Sequence, residues 1–282
     1  MELFRQLDVH DLLKRALEED LGQGDITTAA TVAPGQHGRA RITVKEEKIV
    51  FCGGILLESI FTMAGAEPKI VKLAAEGRSL GRGERAAEIE GRLAGLLIGE
   101  RTALNFLQLM SGIATLTRRF VDAVAGTRAR IVDTRKTHPG LRGVEKYAVR
   151  AGGGFNHRFG LDSGVLIKEN HIAAAGSVGI ALEKARRLAP HTLRIEIECE
   201  TLDQVGEALA AGADAILLDN MGLDDIRRAR EIAGDRVILE VSGGVSLETV
   251  GALAQAGADL ISVGALTHSA KAVDLSMRIE PA

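Results

Sequence analysis

The 282-residue sequence predicts an α/β fold, a sheet-and-helix portion followed by an incomplete barrel of βα units. Three observations carry this expectation. The hydrophobic pattern changes after Gly126, and six short apolar runs follow it: ARIVDTRK, GVLIKENH, LRIEIECE, DAILLDN, RVILEVSGG and DLISVGALTH. The last four begin about every 22 residues, a period that fits consecutive parallel strands joined by crossover helices. Finally, LAAGADAILLDN is echoed by LAQAGADLISVG, so the unit repeats internally. A doubly wound open sheet is the competing arrangement. Regular, uninterrupted units favour the barrel, and six strands fall short of a closed eight.

Taken in order, Val9, Leu12, Leu13, Ala16 and Leu17 recur at helical spacing, with Asp8 as the expected N-cap. Residues 38–52 alternate through Ala40, Ile42 and Val44, as a half-buried strand does. The stretch GILLESIFTMAG is expected to be helical, and PKIVKLAAEG and EIEGRLAGLLIG to be strands. The segment ERTALNFLQLMSGIATLTRRFVDAVAG is rich in helix formers and is expected to link two domains as one or two helices. The expected boundaries are 1–104 for the first domain, with 267–282 packing back on it, and 105–266 for the barrel.

Composition narrows the functional classes. Only 3% of residues are aromatic, too few for the stacking platforms of single-stranded nucleic-acid binders. A net charge of -3 gives no global attraction to nucleic acid or to an anionic membrane. Cys52 and Cys199 form no CxxC pattern and are expected to be buried, reduced thiols. The N-terminal residues mix acids with bases, unlike a signal peptide, and no apolar run approaches the ~20 residues that span a bilayer. A cytoplasmic location is expected. Charge is nevertheless uneven: Arg128–His171 holds nine Lys/Arg against four Asp/Glu. A basic island in an acidic chain points to a small anionic ligand, with a solvated basic face as the alternative.

In such barrels the chemistry sits at the carboxyl ends of the strands. Read in order, those ends carry Asp133, Thr134, Arg135 and Lys136, then Lys168, Asn170 and His171, then Glu198, then Asp219 and Asn220, then Ser242, Gly243 and Gly244, and last Gly264. Cations, acids and small residues are thus sorted around the rim. Arg135, Lys136, His157, Arg158 and Lys168 can hold a ligand with more than one anionic group, because a guanidinium grips carboxylate or phosphate through paired hydrogen bonds. Glu198 and Asp219 are hard oxygen donors suited to Mg²⁺ shared with a phosphate ester. The Ser-Gly-Gly turn lets backbone N–H groups approach a phosphate. Alternative readings stay open at this point. Lys168 could form a Schiff base, Gly152–Gly154 could be only a turn, and the acids Glu196 and Glu200 could merely pair with barrel lysines. No spacing of His138, His171 and His268 marks a metal site.

The run DTRKTHPGLRGVEKYAVRAGGGFNHRFGLDSGVLIKENHI, Asp133–Ile172, closely resembles the quinolinate phosphoribosyltransferase family. GDITT, ERTALNFLQLMSGIAT, IEIECE, ILLDN, SGG and SVGALTHSA extend the resemblance over nearly the whole chain, in order. It implies an N-terminal α/β sandwich, a C-terminal open α/β barrel, and homodimers, or higher oligomers built from them, that share active sites. The implied reaction joins quinolinate to 5-phosphoribosyl 1-diphosphate with loss of diphosphate and carbon dioxide, a step of NAD biosynthesis. The resemblance places quinolinate on Arg101 of a second subunit and on Arg135, His157, Arg158 and Lys168, with Thr134 beside them. Lys136, Glu198 and Asp219 then serve catalysis, the phosphoribosyl donor and Mg²⁺, while Ser242–Gly244 and Val263, Gly264 and Ala265 hold its 5′-phosphate. A related molybdenum-transport group shares the fold, but the intact DTRKTHP, NHR and LIKENH segments argue against it.

Overall fold

The computed structural model describes residues 6–282. In chain order the elements are α1 (Gln6–Leu21), α2 (Ile26–Thr31), β1 (His37–Val44), β2 (Lys48–Val50), a 3₁₀ turn (Gly54–Leu56), α3 (Leu57–Met63), β3 (Lys69–Leu73), β4 (Ser79–Gly81), β5 (Arg85–Arg92) and α4 (Leu93–Ala123). Then follow β6 (Arg130–Val132), α5 (Arg142–Ala151), β7 (Val165–Ile167), α6 (Glu169–Ala175), α7 (Val178–Leu188), β8 (Ile195–Cys199) and α8 (Leu202–Ala210). The chain ends with β9 (Ala215–Asp219), α9 (Leu223–Ala233), β10 (Ile238–Ser242), α10 (Val250–Gln255), β11 (Leu260–Ser262), α11 (Ala265–His268) and β12 (Leu275–Pro281). Among the described residues, no helix is long and apolar enough to cross a membrane.

The chain forms two compact units. One comprises the chain up to Arg118 with Thr137–Gly153 and Thr267–Ala282; the other comprises Arg119–Lys136 with Gly154–Leu266. In the first, an antiparallel sheet runs β12-β1-β5-β3, with β2 and β4 paired separately. Strand β1 alternates buried and half-exposed residues. It pairs with β5 on one side and, from Gly38 to Val44, with β12 on the other. Ile42, Ile49, Phe51, Phe61, Ile89 and Leu96 are fully buried in this unit. Helix α4 packs closely against this unit's other segments. A Cβ on Gly112 would stand 2.1 Å from the carbonyl oxygen of Lys271, so only glycine lets the C-terminal segment pass there.

Three expectations need correcting here. Helix α1 already includes Asp8, so Asp8 lies within the helix and is not its N-cap. The strand expected over 38–52 is two strands, because the charged Lys45–Glu47 segment turns between β1 and β2. The strand expected across EIEGRLAGLLIG ends at Arg92, and LAGLLIG opens α4. Leu93, Leu96 and Gly99 are buried while Arg92 and Glu100 are not, the helical spacing of a three- to four-residue period rather than strict alternation.

The second unit is the open α/β barrel. Six parallel strands run β6-β11-β10-β9-β8-β7. Sequence order is kept from β7 to β11, and the first strand, β6, closes onto the last. A doubly wound sheet would reverse direction at a switch point, and this one does not. The repeat has a visible structural purpose. Asp214, just before β9, donates its backbone N–H to the Ile195 carbonyl and accepts the Ile195 N–H at Oδ2, 2.8 Å away. Asp259, just before β11, does the same to Leu239, with 2.9 Å for each bond. Each GAD motif therefore pegs its strand to a neighbour at the amino end.

Candidate active site

At the carboxyl end of the barrel strands lies a cavity of about 610 Å³. Pockets of ~300–1,000 Å³ take small molecules, so this one suits a metabolite and not a polymer. Thr134, Arg135, Lys136, His157, Arg158, Lys168, Glu198, Asp219, Ser242, Gly243 and Gly244 line it. Thus most of the residues expected from the sequence are brought to one wall. Val263, Gly264 and Ala265 follow β11 and are not among the lining residues, although Ser262 is. Arg101 is exposed on α4 in the first unit and does not line the cavity of its own chain.

The basic island divides. Of its nine Lys/Arg, only Arg135, Lys136, Arg158 and Lys168 line the cavity. Arg142, Lys146 and Arg150 belong to α5, in the first unit. Arg128 lies just before β6 and pairs with Asp235 and Asp259 at 2.8 and 2.7 Å. The sequence run is therefore part ligand pocket and part scaffold.

Local hydrogen bonds explain how each side chain is held. After β6, the Thr134 hydroxyl accepts the Lys136 backbone N–H at 3.0 Å, a tight turn that places Arg135 and Lys136 on the rim. Asp133 is fully buried; it accepts the His157 backbone N–H at 2.9 Å and the Asn156 amide at 2.5 Å. That bond draws the NHR segment to the strand end. A guanidinium N–H of Arg158 donates to the Gly164 carbonyl at 3.1 Å. Burial first, and then the neighbouring Arg135 cation, push the Arg158 pKa down, with Glu196 opposing them. Two guanidiniums held this way are stabilised by an incoming anion. At the end of β7, the backbone N–H of Lys168 donates to Nδ1 of His171 at 2.9 Å, so His171 secures the start of α6 and is not part of the pocket lining.

The acids lie across neighbouring strands. Glu198, on β8, is nearly buried, and its Oε2 accepts from Lys168 Nζ at 2.6 Å. Asp219 ends β9, where its Oδ2 accepts from the Asn220 amide at 2.8 Å. Glu196 does not pair with a lysine. Its Oε2 lies 2.9 Å from Nε2 of His157, while Glu200 lies beyond the strand and is exposed. The Ser-Gly-Gly turn after β10 has two consecutive left-handed residues, Gly243 at φ +94 and Gly244 at φ +57. A Cβ on Gly243 would stand 2.1 Å from Oδ1 of Asn220, so glycine is needed there for space as well as for conformation. Asn220 in turn donates its backbone N–H to the Ser242 carbonyl at 3.0 Å, which ties the β9 and β10 ends together.

Asn220, read from the sequence as a strand-end residue, also lines the cavity, as do Leu166, Leu217, Glu240 and Ser262, which were not read as site residues. Glu240 was legible in one respect. It is an acid inside an apolar run, two residues before Ser242, and so on the same strand face.

Comparisons with known proteins agree with this geometry. Residues 113–278 match the model of the family described as quinolinate phosphoribosyl transferase, C-terminal domain, and residues 25–111 match that family's N-terminal domain. A Bacillus subtilis protein named "Probable nicotinate-nucleotide pyrophosphorylase (carboxylating)" is 44% identical over 97% of this chain and 94% of its own length. The Mycobacterium leprae nicotinate-nucleotide pyrophosphorylase (carboxylating) is 43% identical over 95% of each. The crystal structure of NadC from Streptococcus pyogenes superposes with a TM-score of 0.94 at 40% identity, covering 99% of both chains. With both of its domains matched and relatives of this similarity along its length, the chain belongs to the quinolinate phosphoribosyltransferase family.

Proposed function

We propose that this protein transfers a phosphoribosyl group to quinolinate, giving nicotinate mononucleotide, diphosphate and carbon dioxide, in NAD biosynthesis. The observation that carries the reading is the sorting of the cavity lining: four cations and a histidine come from the first two strands and their loops, while the carboxyl groups of Glu198, Asp219 and Glu240 and a glycine turn come from the next three. Such a cavity suits an acceptor with two carboxylates beside a donor with several phosphates.

Each residue then has a task. Arg135, His157, Arg158 and Lys168 hold the acceptor's carboxylates, which fixes the ring nitrogen for attack. Thr134 shapes the turn that presents Arg135. The cation of Lys136 stabilises negative charge developing on the departing diphosphate. As that bond loosens, positive charge builds at the sugar carbon, and the ring nitrogen bonds to it. The pyridinium so formed withdraws electrons from the adjacent carboxylate carbon. That carboxylate leaves as carbon dioxide, and a proton takes its place on the ring. Ser242–Gly244, with Val263–Ala265 behind them, receive the 5′-phosphate. Among described residues, Glu198 and Asp219 offer oxygen-only donors on adjacent strand ends of the same cavity, a set that fits Mg²⁺ sharing phosphate oxygens. When bound there, Mg²⁺ supplies charge neutralisation for the diphosphate. The protein is cytoplasmic and acts as a homodimer in which Arg101 of a second copy completes the acceptor site.

The test is direct. Quinolinate, the phosphoribosyl donor and Mg²⁺ are supplied together, and mononucleotide and carbon dioxide are measured in equal amounts. No product at saturating substrates would overturn the reading. Comparable turnover of nicotinate would overturn the choice of acceptor, because one carboxylate leaves part of the basic wall unpaired.

A further inference from the structure

Two buried acids, Glu240 in the cavity wall and Glu196 beside it, have no task in the reaction as derived. Glu196 on β8 and Glu240 on β10 are 8% and 1% exposed. Both converge on one imidazole, with Nε2 of His157 lying 2.9 Å from Oε2 of Glu196 and 3.7 Å from Oε2 of Glu240. No hydrogen-bond partner is present for either oxygen of Glu240 among the described residues. From β6, Asp133 holds the backbone N–H of the same histidine. Three strands of one sheet thus determine where a single ring sits.

We propose that Glu196 and Glu240 are positioning residues for the acceptor, acting through His157 by fixing its ring against the cavity wall. The proposal deepens the function given above and rests on its assignment of His157 to the acceptor. Carboxylate Glu196 accepts from Nε2 of the ring, and the buried Glu240 carboxyl backs the same nitrogen from the neighbouring side. Such contacts fix which ring nitrogen carries its proton and hold the ring in one orientation, as a histidine that receives an anionic acceptor requires. The arrangement is costly for the fold. Burial, together with the nearby Glu196, raises the pKa of Glu240 well above that of an ordinary carboxyl. A buried carboxyl without hydrogen-bond partners costs the fold its desolvation, so a purely structural acid is not expected at this position. Stability given up beside a substrate wall is the pattern of a functional site.

That contrast supplies the test. KM for quinolinate, KM for the phosphoribosyl donor, kcat and Tm are measured for the native enzyme, Glu240→Gln, Glu196→Gln, His157→Ala and the double variant Glu240→Gln/His157→Ala. The expected result is a roughly tenfold rise in quinolinate KM for each glutamine variant, with donor KM within about twofold and Tm unchanged or higher. In the His157→Ala background, Glu240→Gln should add nothing further. A lowered Tm with both KM values moving together would mean that the acids are scaffold. An undiminished effect of Glu240→Gln without His157 would also overturn the proposal. So would a stoichiometric divalent metal in the purified protein that is lost in Glu240→Gln, since these three groups span distances a cation can bridge. If His157→Ala raises quinolinate KM but neither glutamine variant does, the positioning role alone fails. If His157→Ala leaves it unchanged, the acceptor assignment of His157 fails with it.

Discussion

Arg158 separates a ligand pocket from a solvated basic face. It lines the cavity, its charge is partly desolvated, and Arg135 stands near enough to disfavour it. Arg158→Ala is expected to raise quinolinate KM by more than tenfold while Tm, read by calorimetry, stays nearly constant. Gly243 makes the opposite kind of prediction. Its left-handed backbone and the closeness of Asn220 leave no place for a methyl group. Gly243→Ala should therefore cost about 1–3 kcal/mol in urea unfolding and also weaken donor binding. The cysteines give a third. Burial pushes the Cys199 thiol up to about 12 and raises Cys52 further still, so both remain protonated thiols at neutral pH. A thiol reagent should leave the folded protein unlabelled for hours at pH 7.5 and react on unfolding. At this scale the sequence was readable where side-chain chemistry is explicit, as in Arg135, Lys136 and Lys168. The partner of Glu196 was not, because a contact spanning 39 positions depends on strand order and not on local pattern.

Among the elements, the barrel strands were the most legible. Each apolar run after Gly126 is a strand, because buried parallel strands are short, continuously apolar and separated by helices. The change from β5 to α4 was missed because Leu93–Gly99 is apolar on most sides, and periodicity cannot separate a buried helix from a strand over so few residues. The decisive signal is steric. Gly95 and Gly112 both lie in α4, where an added methyl would collide with the backbone of Ala66 or Lys271. Gly112→Ala is expected to lower stability by about 1–3 kcal/mol through overpacking, with little change in KM for either substrate. Calorimetry and steady-state kinetics on one preparation would check both halves.

Across the whole molecule, the division into units is not a division of the sequence. The chain leaves the barrel after Lys136, contributes α5 to the other unit, and re-enters at Gly154. A fragment of residues 119–266 would carry α5 without the partners that bury Val144, Tyr147 and Val149. Such a fragment is expected to be aggregated or molten, with weak near-ultraviolet circular dichroism. The proposed sharing of Arg101 between copies gives a further test at this scale. Arg101→Ala and Arg158→Ala, each nearly inactive alone, should recover roughly a quarter of native turnover when unfolded and refolded together, since random pairing leaves some dimers with one intact site. No recovery, with mixed dimers demonstrated by mass spectrometry, would remove Arg101 from the site.

The two GAD pegs have a consequence for how such a molecule can change. Asp214 and Asp259 secure their strands at the amino ends, while the opposite ends diverge into LDN and SVG. Duplicated units therefore inherit their scaffold and their chemistry as separable parts. Mutation can rewrite one end of a strand while the other keeps it in register, so a barrel of this kind can acquire a new substrate without first losing its shape.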